Sequence, residues 1–229
     1  MTLQVRQPIT GAEVARLATA PAAPLPGAKL YQSYIKRGID IAIVLVAAVP
    51  VLFVLTILSA AIAMDGVNPF YRQKRLGKDG RVFSMWKLRS MVRNADALLE
   101  DYLCQNPDAR REWDISQKLK FDPRITPIGR IIRKTSLDEL PQLWNVLIGD
   151  MSLVGPRPMM VDQRTLYPGD AYYRMRPGIT GLWQISDRNE TSFAERAIYD
   201  TAYWRAQSLR TDIVVMIRTV GVVLRGTGY

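Results

Sequence analysis

The longest apolar stretch of the chain runs from Ile41 to Met64, 24 residues without a charge. Coiled as a straight helix it extends about 36 Å, enough to cross the hydrocarbon core of a bilayer. Two membrane readings follow: a single-pass anchor, or a re-entrant helix that enters, bends and leaves on the same side. Pro50 stands near the middle, where it withdraws a backbone donor and kinks a helix. The flanks are basic on both sides, with Lys29, Lys36 and Arg37 before the segment and Arg72, Lys74, Arg75, Lys78 and Arg81 after it. The positive-inside tendency draws both ends to the cytoplasmic face, which favours the re-entrant form. Asp40, at the entry, then lies at headgroup level near the helix start, where a negative charge is tolerated.

Residues 1–30 are rich in Ala, Pro and Thr, lack periodicity and read as a flexible tail. Beyond the apolar segment, Phe70–Arg75 and Arg81–Leu88 are extended in character and flank Leu76-Gly-Lys-Asp-Gly80, a β-hairpin signal. Helical spacing covers Ala95–Leu103, which stops at Asn106-Pro107, and resumes over Ala109–Leu119. Ile125–Arg133 reads as a short helix or irregular segment, and Phe193–Ala206 as a helix. Ile213–Leu224 is very apolar but contains Arg218 and is too short to span. It suits the bilayer interface, packing on the anchor, or a core position. The pattern predicts a mainly α protein with a small β-hairpin, a tail over 1–30, a membrane helix over 31–66 and a cytoplasmic domain over 67–229.

Composition removes whole classes of chemistry. There is no histidine, which excludes Ser–His and Cys–His pairs and histidine-based zinc sites. Cys104 is the single cysteine, so no internal disulfide or CxxC pair can form. Chemistry must come from carboxylates, Lys, Arg, hydroxyls or an oxygen-bound ion such as Mg²⁺. A net charge of +10 suits phosphorylated substrates, anionic lipid or nucleic acid, without choosing among them.

Candidate chemistry concentrates in Arg133-Lys-Thr-Ser-Leu-Asp-Glu-Leu-Pro-Gln-Leu-Trp-Asn145 and in Gly155-Pro-Arg-Pro158. By local pattern alone, Ser136-Leu-Asp-Glu139 is a capping box in which Glu139 reaches back to the helix start. The competing reading is that adjacent carboxylates divide two tasks, one attacking phosphorus and the other holding Mg²⁺ against phosphates. Arg133, Lys134 and Arg157 lie nearby in sequence to offset the charge that repels an anionic nucleophile.

Several ordered motifs widen the picture: Lys36-Arg37…Asp40, Arg75-x-Gly77-x-x-Gly80-x-x-Phe83, Lys87-Leu-Arg89-Ser-Met91 and Asp122-Pro-Arg124. They continue with Arg133-x-x-Ser136-Leu-Asp-Glu139-Leu-Pro-Gln142, Gly155-Pro-Arg-Pro158 and Pro177-Gly-Ile-Thr-Gly-Leu-Trp-Gln184. Each alone is weak. In this order, from Lys36 to the C-terminus, they resemble the bacterial sugar transferases, or monotopic phosphoglycosyl transferases, above all the exopolysaccharide-initiating members.

The resemblance implies a monotopic membrane protein with a Pro50-kinked re-entrant helix entered at Asp40, interfacial amphipathic helices, and a catalytic domain on the cytoplasmic face of the bacterial inner membrane. It further implies that Asp138 attacks the β-phosphate of a UDP-sugar, releasing UMP and forming a phosphosugar–aspartate intermediate. Undecaprenyl phosphate then takes the sugar phosphate. Glu139 is the implied Mg²⁺ ligand, and Arg133, Arg157, Lys87 and Arg89 match family positions suited to phosphate. Thr180, Gln184 and Arg188 fall in or after the glycine-rich loop that shapes the nucleotide or sugar pocket. Gln105-Asn-Pro107…Glu112-Trp113 and the Gly-Tyr ending favour UDP-galactose, with UDP-glucose the nearest rival. Larger family members carry extra membrane helices and a further domain, so this chain is expected to be the minimal catalytic form.

Two positions depart from the family pattern: Leu88 replaces a common aromatic, and Asp187 replaces a glycine. A non-enzymatic basic membrane anchor would explain the charge but not the Asp-Glu and Gly-Pro-Arg-Pro motifs. A nucleic-acid partner is disfavoured, since no helix-turn-helix or zinc finger is evident and the basic residues are dispersed. The sequence specifies no oligomeric state.

Overall fold

The computed structural model describes residues 30–116, 119–186 and 193–224. The expected tail over 1–30 lies outside these residues, Leu30 aside. A π-helical turn over Tyr31–Ile35 leads into α1 (Lys36–Ala63), which stays helical through Pro50. At 1.5 Å per residue α1 is about 42 Å long, and among the described residues it lies in the one helix long and apolar enough to cross a membrane. Its middle is bare: Val46, Val49, Leu52 and Phe53 are all exposed.

Both ends of α1, by contrast, are held by the body. Near the start, Val44 packs with Phe83, Met85, Val146 and Met151. Lys36 is buried against Asp212, whose carboxylate also accepts from the Tyr31 and Tyr203 hydroxyls at 2.7 and 2.6 Å. Asp40 accepts from the Ser152 hydroxyl at 2.6 Å and the Leu153 amide at 3.2 Å. Near the end, Ile62 packs with Leu88 and Ile132.

The expected hairpin is present as β1 (Phe70–Leu76) and β2 (Val82–Leu88), antiparallel and in register from Phe70↔Leu88 to Leu76↔Val82. Its reversal uses Asp79 (φ 58°) and Gly80 (φ 73°), residue types that tolerate the left-handed region. Two helices, α2 (Ala95–Gln105) and α3 (Pro107–Ser116), break at the expected Asn106-Pro107. Next, α4 (Pro127–Lys134) starts at Thr126, whose hydroxyl accepts from the Gly129 amide at 2.9 Å with Pro127 at the first helical position. A 3₁₀ turn over Leu137–Glu139 leads to α5 (Gln142–Ile148). The chain closes with α6 (Arg196–Ala206) and α7 (Leu209–Leu224).

The helix anticipated from Ser136–Glu139 begins later, as α5, and a second small sheet, β3 (Ser152–Val154) parallel to β4 (Gly178–Thr180), was not expected. Three-residue strands are too short to display alternation, and this pairing joins segments 26 positions apart. The sheet brings Gly155 against Gly178: a side chain on Gly178 would meet the Gly155 amide at 2.1 Å. The two glycine-bearing motifs are thus in backbone contact, a physical reason for glycine at both places. On α7, Val215 is fully buried with Trp183 and Tyr203, while Ile217 and Val220 face outward.

Candidate active site

The last turn of α4 delivers Arg133, and the chain then reverses at Ser136, which adopts a left-handed conformation (φ 56°). Ser136 makes no side-chain capping bond, so the capping box is not formed. Instead the short 3₁₀ turn sets Asp138 and Glu139 against the end of β2. Lys87 Nζ lies 2.8 Å from Glu139 Oε1 and 3.6 Å from Asp138 Oδ2. The site is therefore an acidic pair, Asp138 buried and Glu139 half-buried, with one ammonium between its members.

Asp138 is 9% exposed. Burial pushes its carboxyl above the ordinary aspartate range; Lys87 and Arg133 pull it down, while Glu139 adds to the rise. The Arg133 Nη1 nitrogen is buried without a hydrogen-bond partner. Glu139 and Lys87 also line a pocket with Arg75, Met85, Gln142, Arg157, Pro158, Gly178, Ile179 and Gln184. In it, the start of α5, the Gly155–Pro158 loop and β4 meet the hairpin.

The sequence candidates divide accordingly. Asp138, Glu139, Lys87 and Arg133 are brought together, and Arg157 and Gln184 share the pocket with Glu139 and Lys87. The Gln184 amide donates to the Ile179 carbonyl at 2.7 Å, and its Oε1 is buried without a partner. Arg89 is not at the acidic pair: its guanidinium binds Asp65 and the carbonyls of Ile62, Val67, Asn68 and Met91, tying the exit of α1 to the end of β2. Thr180 turns toward α7, where its hydroxyl and that of Thr219 share a hydrogen bond of 2.6 Å. Asp40 and Pro50 lie on α1, not in the pocket. Arg188 lies outside the described residues.

Gln142, 2% exposed and lining the pocket, and Arg75 carried no site role in the sequence beyond membership of a motif and, for Arg75, of the basic flank. Asn145 was equally silent. Its side chain accepts from the Trp86 amide at 3.0 Å and donates to the Ser84 carbonyl at 2.9 Å, clamping α5 to the strand that carries Lys87. A polar residue on a seven-residue helix gives no local signal of such a clamp.

Among the described residues no group of three or more carboxylate or cysteine ligands could cage a metal. Two adjacent carboxylates fit Mg²⁺ instead, which takes one or two protein oxygens and completes its shell with water and substrate phosphate. The ammonium of Lys87 between them indicates that this spot favours positive charge.

The family model for bacterial sugar transferases matches residues 31–226. A UDP-galactose-lipid carrier transferase of Erwinia amylovora is 48% identical over 88% of this chain and 43% of its own length. The exopolysaccharide production protein ExoY of Sinorhizobium fredii is 43% identical over 84% of this chain and 87% of its own. A UDP-glucose:undecaprenyl-phosphate glucose-1-phosphate transferase of Klebsiella pneumoniae is 36% identical over 86% of this chain and 41% of its own. The chain thus spans less than half the length of some relatives and most of another. The family match covers every element described: the chain belongs to the bacterial sugar transferase family.

Proposed function

We propose that this chain transfers a hexose 1-phosphate, galactose 1-phosphate in the first instance, from a UDP-sugar to undecaprenyl phosphate. It would thereby start exopolysaccharide synthesis at the cytoplasmic face of the bacterial inner membrane. The observation that carries this reading is the Asp138–Glu139 pair around Lys87, beside a pocket lined by Arg75 and Arg157.

An oxygen of the Asp138 carboxylate attacks the β-phosphorus of the UDP-sugar. The bond from that phosphorus to the oxygen bridging the two phosphates breaks, and its electron pair leaves with UMP. An oxygen of undecaprenyl phosphate then attacks the same phosphorus and frees Asp138, so one hard displacement becomes two easier ones. Lys87 and Arg133 oppose the repulsion between the carboxylate and the phosphates. Burial strips water from Asp138 and leaves its ionised form more reactive. Glu139 would hold Mg²⁺, which when bound neutralises diphosphate charge.

A re-entrant α1 is supported by the packing of both its ends on one body, with the bare stretch around Pro50 between them. The apolar outer face of α7 would then rest in the interface. Galactose is favoured over glucose because the relative named for galactose is 48% identical and the one named for glucose 36%.

The test is UMP release by purified protein supplied with Mg²⁺, undecaprenyl phosphate and either UDP-galactose or UDP-glucose. Asp138→Asn should lose at least 1,000-fold in rate, a loss of about 4 kcal/mol in transition-state stabilisation. Full turnover by that variant would remove Asp138 as nucleophile, and preference for UDP-glucose would reverse the sugar assignment.

A further inference from the structure

Three arginines from distant parts of the chain, Arg75 of β1, Arg157 of the Gly155–Pro158 loop and Arg196 at the start of α6, gather beside the pocket. Arg157 and Arg196 both stand over the Trp183 indole, at 5.9 and 4.2 Å from its ring centre. Arg75 and Arg157 line the pocket that also contains Glu139 and Lys87. Among the described residues no carboxylate lies within 4 Å of any of the three guanidinium groups.

Proteins seldom gather half-buried positive charges without a counterion, because desolvation and mutual repulsion both oppose it. Here both effects are present. Burial and then the charge of Arg157 lower the pKa of Arg75, and the same two causes bring Arg196 down to about 10. Arg75 spends two nitrogens on the Pro158 carbonyl and the Gln73 amide oxygen, yet its Nε is buried without a partner. The Nε of Arg196 is likewise buried and unpartnered. The nearby Asp200 offsets Arg196 only in part and makes no ion pair with it: that carboxylate, 7% exposed, accepts from the Tyr167 hydroxyl at 2.7 Å. Stacking on Trp183 and Phe193 fixes Arg196 in place without using its N–H groups. Three pre-positioned guanidinium groups with spare donors form a receptor for a phosphate, whose oxygens accept paired N–H bonds.

We propose that Arg75 and Arg196 join Arg157 in a cradle for the phosphate that stays with the nucleoside, on the far side of the reacting phosphorus from Asp138. This rests on the transferase reading above. The acidic pair cannot itself hold that phosphate, since like charges repel, whereas the arginine trio holds it as it leaves. The cradle makes Arg75 and Arg196 binding residues for nucleoside monophosphate, and makes UMP a product inhibitor.

The experiment measures binding of UMP and of uridine to the purified full chain in nanodiscs by isothermal titration, together with UMP release from UDP-galactose. Wild-type protein should bind UMP more tightly than uridine. Arg75→Gln and Arg196→Gln should each weaken UMP about 10- to 100-fold while uridine affinity stays constant, as expected for loss of charge-assisted hydrogen bonds. Arg196→Lys should recover part of the loss. Arg174→Gln, an exposed residue paired with Asp170, should bind both ligands as wild type does. Thermal unfolding run alongside separates misfolding from lost recognition, because a structural defect would weaken uridine too. Equal loss for UMP and uridine in both glutamine variants, or no loss for either ligand, overturns the cradle. Wild-type protein that binds UMP but turns over no UDP-sugar overturns the transferase reading and leaves the phosphate cradle standing.

Discussion

Asn145 offers the sharpest test of how the site is held. It is fully buried, and its amide spans the outer edge of β2 through the Trp86 N–H and the Ser84 carbonyl. Ser84 and Trp86 pair with Lys74 and Arg72, at positions where an antiparallel ladder directs its peptide groups away from the partner strand. Only a side chain with both a donor and an acceptor serves the two groups. Asn145→Leu keeps the approximate volume but leaves both peptide groups unpaired. Each loss costs about 1–3 kcal/mol, so the pair should cost about 2–6 kcal/mol. For a chain of this size that lowers the unfolding midpoint by roughly 5–20 °C. Trp86 adjoins Lys87, so UMP release should fall as well. Asn145→Asp keeps the acceptor for Trp86 but loses the donor to Ser84. It should lie between the two and recover as the pH falls and the new carboxyl gains a proton. The measurements are thermal unfolding by circular dichroism in nanodiscs and turnover at 20 °C. An Asn145→Leu midpoint within about 2 °C of wild type would refute the clamp, since even the lower estimate exceeds that shift.

Three further outcomes follow from buried charges and the anchor. Asp200 is buried and its carboxyl is raised to about 7, first by desolvation. The folded state therefore binds this proton more tightly than the unfolded chain, and the stability it contributes is full below about pH 4 and lost as the pH rises through 7. Thermal unfolding at pH 5 and pH 8 should show Asp200→Asn gaining on wild type at the higher pH, by up to about 3 kcal/mol; a constant difference would contradict this. Asp212→Asn leaves the buried Lys36 ammonium without its ion-pair partner and should destabilise by about 3–5 kcal/mol in thermal unfolding, whereas an unchanged midpoint would contradict this. Cysteines introduced at Gln32 and Asn68 in a Cys104→Ser background should both resist an impermeant thiol reagent in intact cells. Periplasmic labelling of either would mean that α1 spans the membrane.

Much of the fold was legible locally because its signals are local. The 24-residue apolar run, the Asp-Gly turn between two extended segments and the Asn106-Pro107 break each declare themselves within a few residues. The acidic pair was visible as Asp138-Glu139, and the resemblance assigned it a role that the capping-box pattern alone would have denied. Other features depend on pairings that no window contains. Lys87 meets Glu139 across 52 positions, and Arg75 lies 82 positions before Arg157 and 121 before Arg196. The strands β3 and β4 exist only because their partners exist, since three residues hold no periodicity. Arg89 and Thr180 sit in the same motifs as pocket residues, yet the pleat and the chain reversal direct them to α1 and to α7.

By itself the sequence determined the chemical repertoire: no histidine, one cysteine, an excess of Lys and Arg, a membrane-length apolar helix and the adjacent carboxylates Asp138 and Glu139. Tertiary structure decided which positive groups meet that pair and which serve as struts. Charges act over a few ångströms, and residues come that close through packing that brings distant parts of the chain together. Asp138 and Glu139 could be found by reading along the chain; their ammonium partner, the strand edge that positions it and the arginine cluster sharing the pocket could be found only in the fold.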